Sequence, residues 1–86
     1  MTASEALRDA ALAGRLGQFE VSSHCLVRMR QRNVTRRDIC LALRSATSAV
    51  QQADAKWRLN GGRDDDGEQL DVVVAFAGNV LVVTVF

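Results

Sequence analysis

The sequence LDVVVAFAGNVLVVTVF, residues 70–86, predicts two β-strands joined by a tight turn. β-Branched and aromatic residues fill both halves, and the Gly78-Asn79 pair between them favours a turn. Both halves are apolar on two faces, which is typical of strands in the middle of a sheet. The rest of the chain must therefore cover at least one face of these strands.

A shorter strand is predicted before this pair. Residues 56–60 alternate polar and apolar side chains, as a half-exposed strand does. The glycine- and aspartate-rich run 61–67 then predicts a polar turn. Residues 18–21 give either a further strand or an extended lead-in. The pattern as a whole predicts an α+β fold, with N-terminal helices packed on a C-terminal antiparallel sheet.

Helical spacing of apolar residues predicts three helices before residue 48. Thr2–Glu5 and Thr35–Asp38 have the pattern of capping boxes that open the first and third helices, and Ser22 or Ser23 caps the second. Gly17 and Asn33 tolerate the left-handed conformation that ends a helix. The second and third helices are expected to pack as a hairpin. A DNA-binding helix-turn-helix is the alternative, which the β-rich second half of the chain disfavours.

Length and composition indicate one domain, residues 1–86, without metal or cofactor. No apolar run approaches the roughly 18 residues of a membrane span, and charged residues stand where a signal peptide needs an apolar stretch. We therefore expect a cytoplasmic protein with no membrane partner. Two cysteines and one histidine are too few for a disulfide framework or a zinc site of four ligands.

The charges are distributed unevenly along the chain. Up to Thr47 there are eight arginines against four acidic residues, and from Ser48 onward three basic residues against six acidic ones. The planar guanidinium suits phosphate and carboxylate groups, so the helical half is expected to bind a polyanion or an acidic protein. The alternative is a solvated helix face with no ligand.

The most informative motif is His24-x-x-x-Arg28-x-x-x-Arg32 in the second helix. A spacing of four places these side chains on one helix face, about 6 Å apart at each step. An imidazole that exchanges protons near neutral pH, beside two guanidinium groups that bind a phosphate, is what RNA cleavage without a metal requires. The alternative is that the arginines form ion pairs with Asp38 or the acidic loop.

Other candidates lie in the second half of the chain. Thr84 interrupts an apolar strand, so its hydroxyl either bonds locally or faces a site. Trp57, with Lys56 and Arg58 beside it, could stack a base of single-stranded RNA, or it could pack in the core. Cys25 diverges from His24 by about 100° around the helix, so the two are not expected to share a proton.

Several motifs in order resemble a family of small bacterial proteins of undesignated function. The stretch SHCLVRMRQRNVT (residues 23–35) has the family's Ser-His start, Arg-Met pair and second arginine. The other matching elements are Asp38-Ile39, Trp57-Arg58, the turn from Gly67 to Leu70, and Val82–Val85. The resemblance spans about residues 19–86 and leaves residues 1–17 as a variable N-terminal helix. Asn33 stands where this family usually has glycine.

That family is grouped with the RelE/ParE-like toxins, in the wider barnase, EndoU, colicin and RelE fold group. The resemblance implies helices on a curved antiparallel sheet, a metal-independent ribonuclease that uses the 2′-hydroxyl as nucleophile, and a neighbouring antitoxin as partner. The resemblance implies that the site residues are His24, Arg28, Arg32 and Thr84, with Arg58 as a weaker match. ParE-like proteins share this fold without cleaving RNA, so the fold alone does not decide the activity.

The sequence therefore predicts a toxin-like ribonuclease of a toxin–antitoxin pair. His24 would be the general base or acid, Arg28 and Arg32 would bind the scissile phosphate, and Thr84, Lys56, Trp57 and Arg58 would position the substrate. The alternatives are a non-catalytic module whose arginine-rich face docks an acidic protein or nucleic acid, and a degenerate toxin with a structural role. The sequence leaves open whether the RNA is ribosome-bound and whether the chain forms a homodimer.

Overall fold

A computed structural model describes residues 1–86 and confirms the α+β fold. The helices are α1 (Ala3–Leu16), α2 (Ser23–Arg32) and α3 (Arg36–Ser45). The strands are β1 (Glu20–Val21), β2 (Ser48–Gln51), β3 (Lys56–Asn60), β4 (Val72–Ala77) and β5 (Asn79–Val85). A short turn, Ala53–Ala55, joins β2 to β3.

Both predicted capping boxes are present. The Thr2 hydroxyl accepts a hydrogen bond from the Glu5 backbone, and the Glu5 carboxylate accepts one from the Thr2 backbone. Thr35 and Asp38 form the same reciprocal pair at the start of α3. Two backbone N–H groups that a helix leaves unbonded at each start are thereby satisfied.

The two remaining helix ends also follow the sequence pattern. Ser22 is the residue that caps α2, and its hydroxyl accepts a hydrogen bond from Cys25 N at 3.0 Å. Gly17 ends α1 and Asn33 ends α2, both in the left-handed conformation, with φ of 67° and 54°. Asparagine tolerates this conformation better than most residues, so the helix can end here without glycine.

The sheet has the strand order β1-β5-β4-β3-β2. Neighbours from β2 to β5 are antiparallel, whereas β1 pairs with β5 in parallel through Glu20 with Leu81 and Val21 with Val82. The C-terminal strands β2 to β5 therefore form the antiparallel sheet expected from the sequence, and the parallel addition of β1 makes the sheet as a whole mixed. A parallel pair needs a long connection, and the chain between Val21 and Asn79 supplies it.

A β-bulge lies between β4 and β5. Val73 pairs with Thr84 but Val74 pairs with Val82, so Val83 is an extra residue in β5. The bulge allows Val82 and Val85, three positions apart, both to be fully buried, although an odd spacing would place them on opposite faces of a regular strand. It thereby explains why β5 is apolar at nearly every position.

All three helices share one core with the sheet. The helices contribute mostly small residues to it, and the sheet contributes Trp57, Leu59, Val72, Val74, Val82 and Val85. The opposite face of the sheet, called here the open face, carries no helix and is formed by Lys56, Arg58, Asn60, Val73, Ala75 and Thr84.

The expected hairpin of α2 and α3 is wrong. α3 packs against α1, and α2 packs against β5. The reason lies in α1, whose inward positions Ala6, Ala10, Ala13 and Gly14 are small enough for close approach. A Cβ atom added to Gly14 would lie only 2.7 Å from the Cys40 carbonyl oxygen. α3 therefore buries its apolar stripe against α1 rather than against its neighbour in sequence.

Candidate nucleic-acid interface

The structure places His24, Arg28 and Arg32 in three successive turns of α2. His24 is exposed in the first turn, Arg28 is half-buried, and Arg32 is exposed in the last turn. The start of α2 is fixed to β5, because Ser22 N donates to the Val82 carbonyl at 3.0 Å and the Ser22 hydroxyl donates to the Val83 carbonyl at 2.7 Å. The predicted row of side chains therefore stands on a firmly held helix.

Arg28 connects this row to the end of β5. Its Nη2 atom donates to the carbonyl oxygen of Val85 at 3.4 Å. This contact uses one of the five N–H donors of the guanidinium, and the others stay available to a ligand. The structure thus brings the row of His24, Arg28 and Arg32, called here the α2 row, next to the end of the strand that carries Thr84.

No arginine of α2 has an acidic partner. The three ion pairs in the structure are Arg8 with Asp9, Arg37 with Asp65, and Arg58 with Asp71. The alternative in which Arg28 and Arg32 pair with Asp38 or the acidic loop is therefore wrong. α2 contains no acidic residue of its own, so its positive charge is not neutralised within the chain.

Asp38 is occupied in holding the start of α3 to the acidic loop. Its carboxylate accepts hydrogen bonds from the Thr35 backbone at 2.9 Å and from the Asp65 backbone at 3.0 Å. Burial alone would raise the pKa of Asp38, but these hydrogen bonds and the charge of Arg37 lower it below its ordinary value. The ionised carboxylate is thus already satisfied and does not compensate α2.

On the open face, Arg58 is held by three neighbours. Its Nε donates to the Asn60 side chain at 3.0 Å, its Nη2 donates to Asp71 at 3.2 Å, and its guanidinium carbon lies 4.3 Å from the ring centroid of Phe86. Asp71 comes directly before β4 and Phe86 directly after β5. Arg58 is therefore a fixed cation with an acidic partner, whereas the arginines of α2 have no acidic partner.

Asp71 is the acidic residue of the cluster formed by Arg58, Asn60, Asp71 and Phe86, called here the open-face cluster. Burial would raise the pKa of its carboxyl, but hydrogen bonds from the Gly61 backbone, Arg58 and Gln69, together with the charge of Arg58, lower the pKa below the ordinary value. The carboxylate is consequently ionised at neutral pH and fixes Arg58 in place.

Thr84 lies on the same face of the sheet as Arg58. Thr84 pairs with Val73 on β4, and Val73 pairs with Arg58 on β3, so the two residues are two strands apart, or about 10 Å. Thr84 is half-buried, and its hydroxyl makes no hydrogen bond within the chain. The structure therefore groups Thr84, Arg58 and Lys56 on the open face.

Trp57 corrects one expectation from the sequence. It lies on the opposite face of β3 from Lys56 and Arg58, is only 7% exposed and belongs to the core shared with the helices. A base cannot stack on a ring in this position without displacing core residues. Of the two alternatives, core packing is therefore the one that the structure supports.

Two residues of the open-face cluster were missed from the sequence, Asp71 and Phe86. The signal for Asp71 was a single charged residue in an otherwise apolar stretch, since such a residue usually has a specific partner. Phe86 gave no signal, because its partner Arg58 is distant in sequence.

The surface concavities of the protein lie away from these residues. Four shallow ones are present, and none is lined by His24, Arg28, Arg32, Thr84 or Arg58. The α2 row and the open face are thus exposed surfaces rather than walls of a cleft, a shape that suits an extended ligand.

Cys25 does not extend this site. Its side chain is fully buried, and burial raises the pKa of its thiol. A thiolate beside His24 is therefore not formed at neutral pH. No cluster of three or more histidine, cysteine or carboxylate side chains has an arrangement suited to a metal ion.

Comparison with known proteins identifies the family. The model of the family described as Domain of unknown function (DUF4258) matches residues 21–86. The chain belongs to this family, and its matched part starts within β1 and leaves α1 outside. No curated protein and no solved structure matches the chain. None of the helices combines the length and apolar character needed to span a membrane.

Proposed function

We propose that the protein is a metal-independent ribonuclease of the toxin type, acting on RNA bound along α2. The observation that carries this proposal is the row formed by exposed His24, half-buried Arg28 and exposed Arg32, with no carboxylate to neutralise the arginines. Uncompensated guanidinium groups at helical spacing attract a phosphodiester chain, and the imidazole beside them supplies proton transfer.

The chemistry needs these groups and one water molecule, because two protons move and His24 exchanges only one of them. The 2′-oxygen of the RNA attacks the adjacent phosphorus and its proton passes to a base, while the departing 5′-oxygen takes up a proton. The products are a 2′,3′-cyclic phosphate and a 5′-hydroxyl. His24 exchanges one of these protons, and Arg28 and Arg32 stabilise the charge that builds on the phosphate oxygens.

The open face supports the same proposal as a surface for the rest of the substrate. Lys56, Arg58 and Thr84 lie there together, and Arg28 reaches the end of β5 beside them. Arg58 is already bound to Asp71, so its role is to orient the substrate rather than to stabilise the reacting phosphate. Thr84 has a free hydroxyl that donates to a phosphate or a base.

Membership of the RelE/ParE-like toxin group belongs to this proposal, and so does an antitoxin protein as partner. Both rest on the sequence resemblance of residues 23–35 and of the closing strand. The arrangement of helices on one side of a bulged sheet is compatible with that group. An antitoxin that neutralises the protein would have to cover the α2 row.

A second candidate function is a non-catalytic module that docks an acidic partner. The observation that favours it is the absence of any concavity around His24, because most active sites lie in clefts that exclude water. In this case the α2 arginines would bind the partner and His24 would have no chemical role.

The two functions separate in one experiment. Wild type, His24→Ala and a matched control, Gln31→Ala, are expressed in a bacterium and purified for incubation with total RNA. Gln31 is also exposed on α2, so both changes should leave folding intact. We expect growth arrest and new RNA ends with 2′,3′-cyclic phosphate for wild type and Gln31→Ala only. Intact RNA with folded wild-type protein, or cleavage that His24→Ala retains, would contradict the proposal.

A further inference from the structure

The backbone of Phe86 is held at the junction between the α2 row and the open face. The Val85 carbonyl, one residue before it, accepts the hydrogen bond from Arg28, and the Phe86 backbone N–H donates to the Asp71 carbonyl at 2.9 Å. Its position is thus fixed from both sides of β5. With the backbone fixed at this point, less conformational freedom is lost when a ligand binds the side chain.

One face of the Phe86 ring is covered and the residue is still open to water. The guanidinium of Arg58 lies 4.3 Å from the ring centroid, and 39% of Phe86 is exposed. Surfaces that bind single-stranded nucleic acid combine aromatic side chains open to water with nearby cations, and Phe86 with Arg58 has both features.

The cation behind the ring is itself immobile. Arg58 is bound to Asp71, whose side chain is only 11% exposed, and to Asn60. The stack of Arg58 and Phe86 is therefore present before any ligand arrives. Lys56, two residues earlier on β3, adds a second positive charge on the same face.

From this arrangement we infer that Phe86 stacks an unpaired nucleobase, so that the ligand is single-stranded RNA. The inference deepens the proposed function and rests on it, because it takes the polyanion bound by α2 to be a nucleic acid. It assigns to Phe86 the stacking role that the sequence suggested for Trp57. Bases inside a duplex are already stacked on each other, so a duplex cannot use this surface without being opened.

The test compares ligands that differ only in their bases. Fluorescence anisotropy of the full chain is measured with a labelled 2′-O-methyl RNA of mixed sequence, which cannot be cleaved through the 2′-hydroxyl, and with an abasic oligomer of equal length. We expect wild type to bind the first at least several-fold more tightly. Phe86→Leu keeps an apolar side chain without a ring and should weaken that binding about 5- to 100-fold. Binding of the abasic oligomer should be unchanged.

A matched control and a rescue keep the result interpretable. Leu16→Ala removes another exposed apolar side chain, 58% exposed on α1, and should change neither affinity. Phe86→Trp restores a ring and should restore the preference for bases. Equal binding of both oligomers by wild type, equal loss on both in Phe86→Leu, or no binding at all would overturn the inference.

The outcome is distinguishable from that of the proposed function. Loss of base preference in Phe86→Leu, combined with RNA that no variant cleaves, would support the stacking role and reject the ribonuclease. RNA cleavage that depends on His24, combined with a base preference that Phe86→Leu leaves unchanged, would support the ribonuclease and reject the stacking role.

Discussion

Arg58 and Asp71 form the ion pair of this protein that lies closest to the interior. Nη2 of Arg58 donates to Oδ2 of Asp71 at 3.2 Å, and the two side chains are 35% and 11% exposed. Both members of the other two ion pairs are more exposed. The pair links β3 to the start of β4 at the point where Phe86 also attaches, so it should matter both for stability and for the shape of the open face.

Replacing Asp71 with asparagine should destabilise the fold by about 1–3 kcal/mol at pH 7. The variant lacks the negative charge that pairs with Arg58. The hydrogen bonds that Gly61 and Gln69 donate to this side chain are also weaker, because their acceptor is no longer charged. Urea denaturation followed by circular dichroism measures the difference. Asp66→Asn is the control, because the Asp66 carboxylate is exposed and accepts no hydrogen bond, and it should change stability by less than about 0.5 kcal/mol.

The effect of Asp71 should depend on pH with a defined sign. The pKa of its carboxyl is lower in the folded protein than its ordinary value of 3.8, so the folded state favours the ionised form. The stabilisation is present above the pKa of the unfolded chain and is lost as the pH falls through the lower, folded pKa. The difference between wild type and Asp71→Asn should therefore be constant near pH 7 and shrink below about pH 4. A difference that grows on acidification would contradict this.

Replacing Gly14 with alanine should destabilise the protein although alanine favours helices. The added Cβ would lie 2.7 Å from the Cys40 carbonyl oxygen and 2.9 Å from Cβ of Leu43, so α1 and α3 must separate. Overpacking of this kind costs about 1–3 kcal/mol and exceeds the helix propensity gain of up to about 1 kcal/mol. Urea midpoints measure the net effect.

The control for Gly14 is Gly17→Ala, which has free space around it but a φ of 67°. It should cost only the backbone strain of about 1–2 kcal/mol. An increase in stability for Gly14→Ala would show that α1 and α3 are less closely packed than the structure indicates.

Features that depend on neighbouring residues were predictable from the sequence. The capping boxes of Thr2 and Thr35 involve side chains three residues from their partners, so the sequence contains the whole interaction. The two strands on either side of Gly78 are marked by β-branched residues throughout. The predicted spacing of His24, Arg28 and Arg32 on one helix is likewise a local property, and the structure retains it.

Features that depend on distant residues were not predictable. β2 is a short edge strand, mostly exposed, with two polar and two adjacent apolar residues, so its sequence has no apolar alternation to reveal it. The packing of α3 on α1 rather than on α2 follows from how closely two helices approach at Gly14. The stack of Arg58 on Phe86 needs Asp71 and the full register of three strands. The face that Trp57 occupies was indicated by its alternation with Lys56, but its function could not be assigned until the core was seen.

The turn between β2 and β3 should be stabilised by glycine. Asp54 and Ala55 both adopt the left-handed conformation, with φ of 60° and 58°. For Ala55 this conformation has no compensating side-chain hydrogen bond, so Ala55→Gly should raise the free energy of unfolding by about 0.5–1 kcal/mol after the entropy cost of glycine is subtracted. Ala53→Gly is the matched control, because Ala53 has negative φ, and it should not stabilise. Equal effects at both positions would mean that Ala55 is not strained.

The salt dependence of RNA binding should identify α2 as the phosphate-binding surface. Each phosphate contact to a single strand contributes about 0.7 to the slope of log affinity against log salt, so Arg32→Gln should reduce that slope by about this amount. Arg32 lies in the last turn of α2 and has no ion-pair partner, so its loss should leave the fold intact. Arg15 is also exposed and lies in the last turn of α1, so Arg15→Gln should leave the slope unchanged. If both variants reduced the slope alike, RNA would be attracted by overall charge, and the regular spacing of the α2 row would have no part in binding.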